Sequence, residues 1–203
     1  MKLRDHRFFF NMIWLIILIT IPLPLIITVD NGLETLSSSS EIMGINFGVF
    51  AYTWMLSAIY LSTQPKWLDR IIGLPDMYII HGVTAVFAVV FMWLHDNMLI
   101  SAGLISLTGD ISLYMFTAIL VYSLVFMAGW LTSRVKFLMT IKKGLEKIFK
   151  HELSMWLHRL NLLATLLIYV HIVLIPYIRN IIPFFVLVTI YTIIAFVSMF
   201  SYL

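Results

Sequence analysis

The sequence predicts an all-α integral membrane protein, a bundle of six transmembrane helices with both termini cytoplasmic. Three observations predict it. The chain is 62% hydrophobic with a mean hydropathy of +1.01, and only 11% of its 203 residues are charged. A soluble domain of this size sits nearer half apolar and a quarter charged. Its apolar residues gather into six runs of the roughly 20 residues that a bilayer core requires. Its basic residues fall almost entirely in alternate connectors.

The first run covers roughly residues 8–28. It follows a basic start, as a signal peptide would, but it is long for one and no small-residue cleavage site follows, so it is expected to be a retained span. Pro22 and Pro24 should bend its outer end. Asp30-Asn31-Gly32 and the serines 37–40 predict the first loop. The second run, 45–62, ends at Gln64-Pro65-Lys66, and Leu74-Pro75-Asp76 precedes the third, 77–95. Residues 97–109 predict the next loop and 111–131 the fourth span. Residues 133–154 alternate lysines with Phe137, Leu138, Ile141, Leu145 and Ile148. They suit a basic amphipathic helix for anionic lipid or an acidic partner, or a simple positive anchor. Runs five and six are 155–176 and 181–202, joined by a tight turn over 177–180.

Orientation follows from the bases. With the N-terminus inside, the inner segments hold 12 of the 13 lysines and arginines against five acids, a net +7. The outer segments hold Arg179 alone against Asp30, Glu34, Glu41, Asp96 and Asp110, a net −4, consistent with the chain's +3.

Four histidines carry the functional signal. His81 and His95 lie 14 residues apart in span three; His158 and His171 lie 13 apart in span five. Titratable side chains inside spans are costly and usually functional, and imidazole is a standard axial ligand of heme iron. Spans three and five run the same way, so His81 matches His158 in depth and His95 matches His171. The separations are about 21 and 20 Å at ~1.5 Å per residue. A single intramembrane histidine is often just an interhelical hydrogen-bond partner; four at two matched depths are harder to assign to chance. Rotation is less tidy. Fourteen residues return His95 to within about 40° of His81, whereas thirteen leave His171 about 140° from His158. A zinc or proton-relay site is the rival reading, though clustered acidic or thiolate partners are missing. His6 and His151 lie in basic segments and are expected to be solvated. The absence of cysteine rules out disulfides, thiolate-held clusters and covalent C-x-x-C-H heme attachment, so heme would be held as in b-type cytochromes.

The stretches MYIIHGVTAVFAVVFMWLHDN and MWLHRLNLLATLLIYVHIVLI resemble spans three and five of the ferric reductase and NADPH oxidase transmembrane family. The resemblance extends over nearly the whole chain, 1–203, as one such domain. It implies two b-type hemes, an inner one on His81 and His158 and an outer one on His95 and His171. Arg159, with Arg70 or Lys66, would serve the inner propionates and Arg179 the outer ones, unless Arg179 only snorkels. Phe87, Phe91, Trp93 and Tyr169 could line the space between, with packing as their ordinary role.

Many members of that family continue into a flavin- and NADPH-binding region. Here Leu203 follows span six directly and no G-x-G-x-x-G loop is present. The expectation is therefore an incomplete oxidoreductase of the cell membrane, fed by a cytoplasmic flavoprotein or a quinol and passing electrons to an extracytoplasmic acceptor such as ferric iron or oxygen. No nucleic-acid partner is expected. The heme-bearing membrane subunit of a methionine sulfoxide reductase system is similar in size. A six-span transporter or channel with proton- or metal-binding histidines, and a structural partner in a membrane complex, are readings of other classes.

Overall fold

The computed structural model describes residues 7–33, 38–126 and 151–202. Residues 34–37, His6 and most of the basic stretch 133–154 lie outside the described residues, as does the side chain of His151. The described residues form helices α1 (Arg7–Thr20), α2 (Leu23–Leu33), α3 (Ser39–Ser62), α4 (Lys66–Ile72), α5 (Leu74–Met98), α6 (Gly103–Phe126), α7 (His151–Leu174), α8 (Pro176–Arg179) and α9 (Ile182–Tyr202). Six segments are long and apolar enough to cross a membrane: Met12–Leu33, Ser39–Ser62, Leu74–Met98, Gly103–Leu124, Trp156–Leu174 and Ile182–Ser201.

The first span is broken where its prolines predict. Pro22 has no N–H to give the carbonyl of Leu18, and in a bilayer that acceptor needs another donor. The indole N–H of Trp54, on α3, donates to it at 2.8 Å. The carbonyl of Ile21 at the break accepts from the Tyr191 hydroxyl of α9 at 3.3 Å. The break thus leaves acceptors that tie α1 and α2 to two other helices.

Several helices are longer than the apolar runs suggest. Asp30-Asn31-Gly32 is helical, the last turn of α2, because Asp30 accepts from Asn46 of α3 at 3.0 Å and Val29 and Leu33 are fully buried. A β-carbon on Gly32 would come within 2.6–2.8 Å of three carbons of Ile181, the residue before α9, so glycine lets the entry to α9 close in. α3 starts six residues before the apolar run, on a capping box in which Ser38 and Glu41 satisfy each other's backbone N–H groups. α6 starts at Gly103, turning much of the expected 97–109 loop into helix. The connector after α3 carries a short helix, α4, and residues 176–179 form the single turn α8.

α3 is the most enclosed span and the hub. It packs along α5 and against α9, while α6 packs along α7. One apolar cluster joins α2, α3, α8 and α9 through Val29, Leu33, Tyr52 and Val188. A second joins α3, α5, α6 and α7 through Met55, Ala88, Met92, Phe116 and Ala164.

Candidate metal centres

The four intramembrane histidines meet in two pairs. The rings of His81 on α5 and His158 on α7 have centroids 6.0 Å apart at 61°, and those of His95 and His171 are 6.2 Å apart at 80°. α5 and α7 are not themselves a close-packed pair: α5 lies along α3 and α7 along α6. The imidazoles reach across between two helix pairs.

Each ring is held by its Nδ1. His81 Nδ1 lies 2.8 Å from the Ala58 carbonyl, His95 Nδ1 2.9 Å from that of Gly44, and His171 Nδ1 2.9 Å from that of Ile105. A carbonyl can only accept, so each of these nitrogens carries the proton. In the neutral ring Nε2 then holds the free lone pair. This is the outer-shell arrangement that orients metal-bound histidines and raises their basicity. The α3 anchors Gly44 and Ala58 are 14 residues apart, the same interval as His81 and His95, so two antiparallel helices meet twice in one register.

Glycine opens the carbonyls at the His95/His171 level. A helical β-carbon tilts toward the N-terminus, so the side chain at i+4 stands over the carbonyl of residue i. The residue four beyond Gly44 is Gly48, where a β-carbon would fall 2.7 Å from His95 Nδ1. The residue four beyond Ile105 is Gly109, where it would fall 3.2 Å from His171 Cε1. Sequence reading missed all three glycines, although Gly44-Ile-Asn-Phe-Gly48 is a G-x-x-x-G close-approach motif.

His158 is the exception. Its Nδ1 faces the Ser123 hydroxyl at 3.2 Å and the Asn161 side-chain amide nitrogen at 3.5 Å, and no backbone carbonyl among the described residues. α7 runs as uninterrupted α-helix through both histidines. The rotational mismatch of a 13-residue interval is therefore taken up by side chains and helix crossing, and His158 ends on a different kind of partner.

The ring spacing is that of two imidazoles sharing a metal. A ring nitrogen lies roughly 1.1 Å from its centroid and a metal–imidazole bond is about 2 Å, so two imidazoles on one metal ion place their centroids about 5–6 Å apart. At 6.0 and 6.2 Å the two couples are close enough to share one metal ion each. Among the described residues no group of three or more metal-binding side chains occurs. A metal at either level would take one ring nitrogen from each histidine of the couple.

A cavity of about 440 Å³ opens beside the His95/His171 pair, lined also by Gly48, Gly109, Asp96 and Asp110, with Asp110 accepting from Ser106 at 2.9 Å. Midway between the two levels stand Ala88 and Ala164, both fully buried. Arg159 and Arg179 are exposed at opposite ends, and neither makes a hydrogen bond or ion pair among the described residues. Lys66 and Arg70, exposed on or beside α4, share the His81/His158 end with Arg159. Of the aromatics, Phe91 stacks on Phe47 and touches Phe50 and Trp54, Phe87 meets Trp54, Trp93 donates to Thr117, and Tyr169 pairs with Thr189 of α9. Their contacts are with neighbouring helices. Comparisons with family models, curated proteins and solved structures returned no match.

Proposed function

We propose that this chain is a diheme b-type membrane protein that carries electrons from a cytoplasmic donor to an extracytoplasmic acceptor. The observation that carries the reading is the meeting of the four histidines in two imidazole couples, one at each level. His81 and His158 would hold one heme and His95 and His171 the other. A bound b-type heme supplies reversible one-electron chemistry at its iron. The protein supplies ligand orientation through the Nδ1 anchors, and a dry interior through Ala88, Ala164, Met55 and Met92. Arg159 with Lys66 or Arg70, and Arg179, are the cations available to anionic propionates at the two ends.

The basic end, with His81 and His158, would face the cytoplasm of a multi-pass cell-membrane protein. Outward electron movement then follows an inside-negative potential, worth about 2.3 kcal/mol per ~100 mV. The donor would be a flavoprotein or a quinol, and the acceptor ferric iron or oxygen. A proton relay is served less well. The histidines stand in two couples about 21 Å apart, and three of the four commit Nδ1 to backbone.

The test is a reduced-minus-oxidised visible spectrum of protein purified after expression with ample heme. Sharp b-type bands and two hemes per chain are expected. His81→Ala and His95→Ala should each leave one. A colourless protein, or unchanged heme content in both variants, sinks the proposal.

A further inference from the structure

We propose that the two centres differ in reduction potential, with the His81/His158 centre the higher, and that Ser123 is a positioning residue that sets its value. The inference rests on the diheme reading above and concerns only how this chain's residues treat their ligands.

The two levels are not equivalent. His95 and His171 both give Nδ1–H to backbone carbonyls at 2.9 Å. A strong acceptor draws on that proton and pushes electron density onto Nε2, making the imidazole a better donor to the metal. The electron-poor oxidised iron gains more from this than the reduced one, so two such ligands lower the potential. At the other level only His81 has a carbonyl, at 2.8 Å. Among the described residues His158 has only the Ser123 hydroxyl, at 3.2 Å, to take that proton, because the Asn161 amide nitrogen at 3.5 Å is itself a donor. A hydroxyl oxygen is a weaker acceptor than a peptide carbonyl, and the contact is longer. The Ser123 hydroxyl has no other hydrogen bond among the described residues, so it is free to turn its lone pairs to His158.

Charge acts in the same direction and independently. Asp96 and Asp110 line the cavity at His95 and His171. Nearby carboxylates favour the more positive, oxidised iron, the half-buried Asp110 more than the exposed Asp96, whose charge water screens. The other end carries Lys66, Arg70 and Arg159. A single electron added to the oxidised chain would therefore rest at the His81/His158 centre.

Potentiometric titration of purified protein, followed in the visible bands, tests this. His95→Ala, which keeps the His81/His158 centre alone, should titrate at higher potential than His81→Ala. Ser123→Ala should move only the higher wave of the two-centre protein, upward, and Ser123→Thr should restore it. Asp110→Asn should raise only the lower wave. A reversed order of the single-centre variants overturns the proposal, as does Ser123→Ala leaving both waves unmoved or shifting both equally, with the diheme reading still standing. A protein that binds no heme overturns both.

Discussion

A β-carbon on Gly48 would lie 2.7 Å from Nδ1 of His95, the nitrogen that donates to the Gly44 carbonyl 2.9 Å away. The imidazole rests on bare backbone, and that is how it reaches an acceptor inside a helix. Gly48→Ala must displace the ring or break the bond. The matching position on α6 is looser, with 3.2 Å from Gly109 to the His171 ring. Gly48→Ala is expected to weaken heme retention at the His95/His171 level by about 10–100-fold, the usual scale of outer-shell losses. Gly109→Ala should lose less. Heme-to-protein ratios during dilution or competition with a heme acceptor measure both. Equal loss in the two variants would refute the cradle argument.

The chain lacks cysteine, so single introduced thiols report membrane sidedness without background. Ser101 is exposed between α5 and α6, and Lys66 is exposed at the start of α4. With the basic end cytoplasmic, Ser101→Cys should react with a membrane-impermeant maleimide on intact cells. Lys66→Cys should react only after permeabilisation. The opposite pattern would invert the topology and the proposed direction of electron flow.

The spans were legible because about 20 apolar residues in a row have few other uses, and the histidine pairs because depth follows from counting residues along a helix. Helix ends were less legible. Asp30-Asn31-Gly32 has loop composition, but a partner on α3 and a tight approach by Ile181 keep it helical. Residues 103–109 read as loop because they hold Gly103, Ser106 and Gly109, yet Gly109 is what admits His171. The anchoring carbonyls left no signature, since every residue has one. Their openings did, at Gly44 and Gly48, as a motif that a composition-led reading passes over. The 13-residue interval in α7 left the aim of His158 open, and its ring meets side chains where the other three meet backbone carbonyls.

Pro22 and Trp54 should be energetically coupled, because one orphans the Leu18 carbonyl and the other satisfies it at 2.8 Å. Trp54→Phe keeps an aromatic ring beside Phe50 and Phe91 but deletes the donor. It should destabilise the protein by about 1–2 kcal/mol. In a Pro22→Ala background the helix regains an N–H for that carbonyl, and the same substitution should cost less than about half as much. Unfolding in mixed micelles, run as a double-mutant cycle, gives the coupling. Strict additivity would show that the carbonyl finds another donor.

Thr192 gives its only hydroxyl proton to the Val188 carbonyl at 2.7 Å, so in the 2.9 Å contact with Tyr52 the phenol donates and Thr192 accepts. Both side chains are buried, joining α3 to α9. Tyr52→Phe removes the donor and leaves Thr192 with its backbone bond intact, so it should cost under about 1 kcal/mol. Thr192→Val strands the Tyr52 hydroxyl in an apolar setting and should cost about 1–3 kcal/mol. Tyr169 and Thr189 repeat the arrangement in a less buried place, with Thr189 bonded to the Phe185 carbonyl at 2.7 Å and to the phenol at 2.9 Å. Thr189→Val should therefore rank below Thr192→Val. Midpoints of thermal unfolding in detergent for the three variants give the order, and a costlier Tyr52→Phe would mean that the phenol does more than donate this bond.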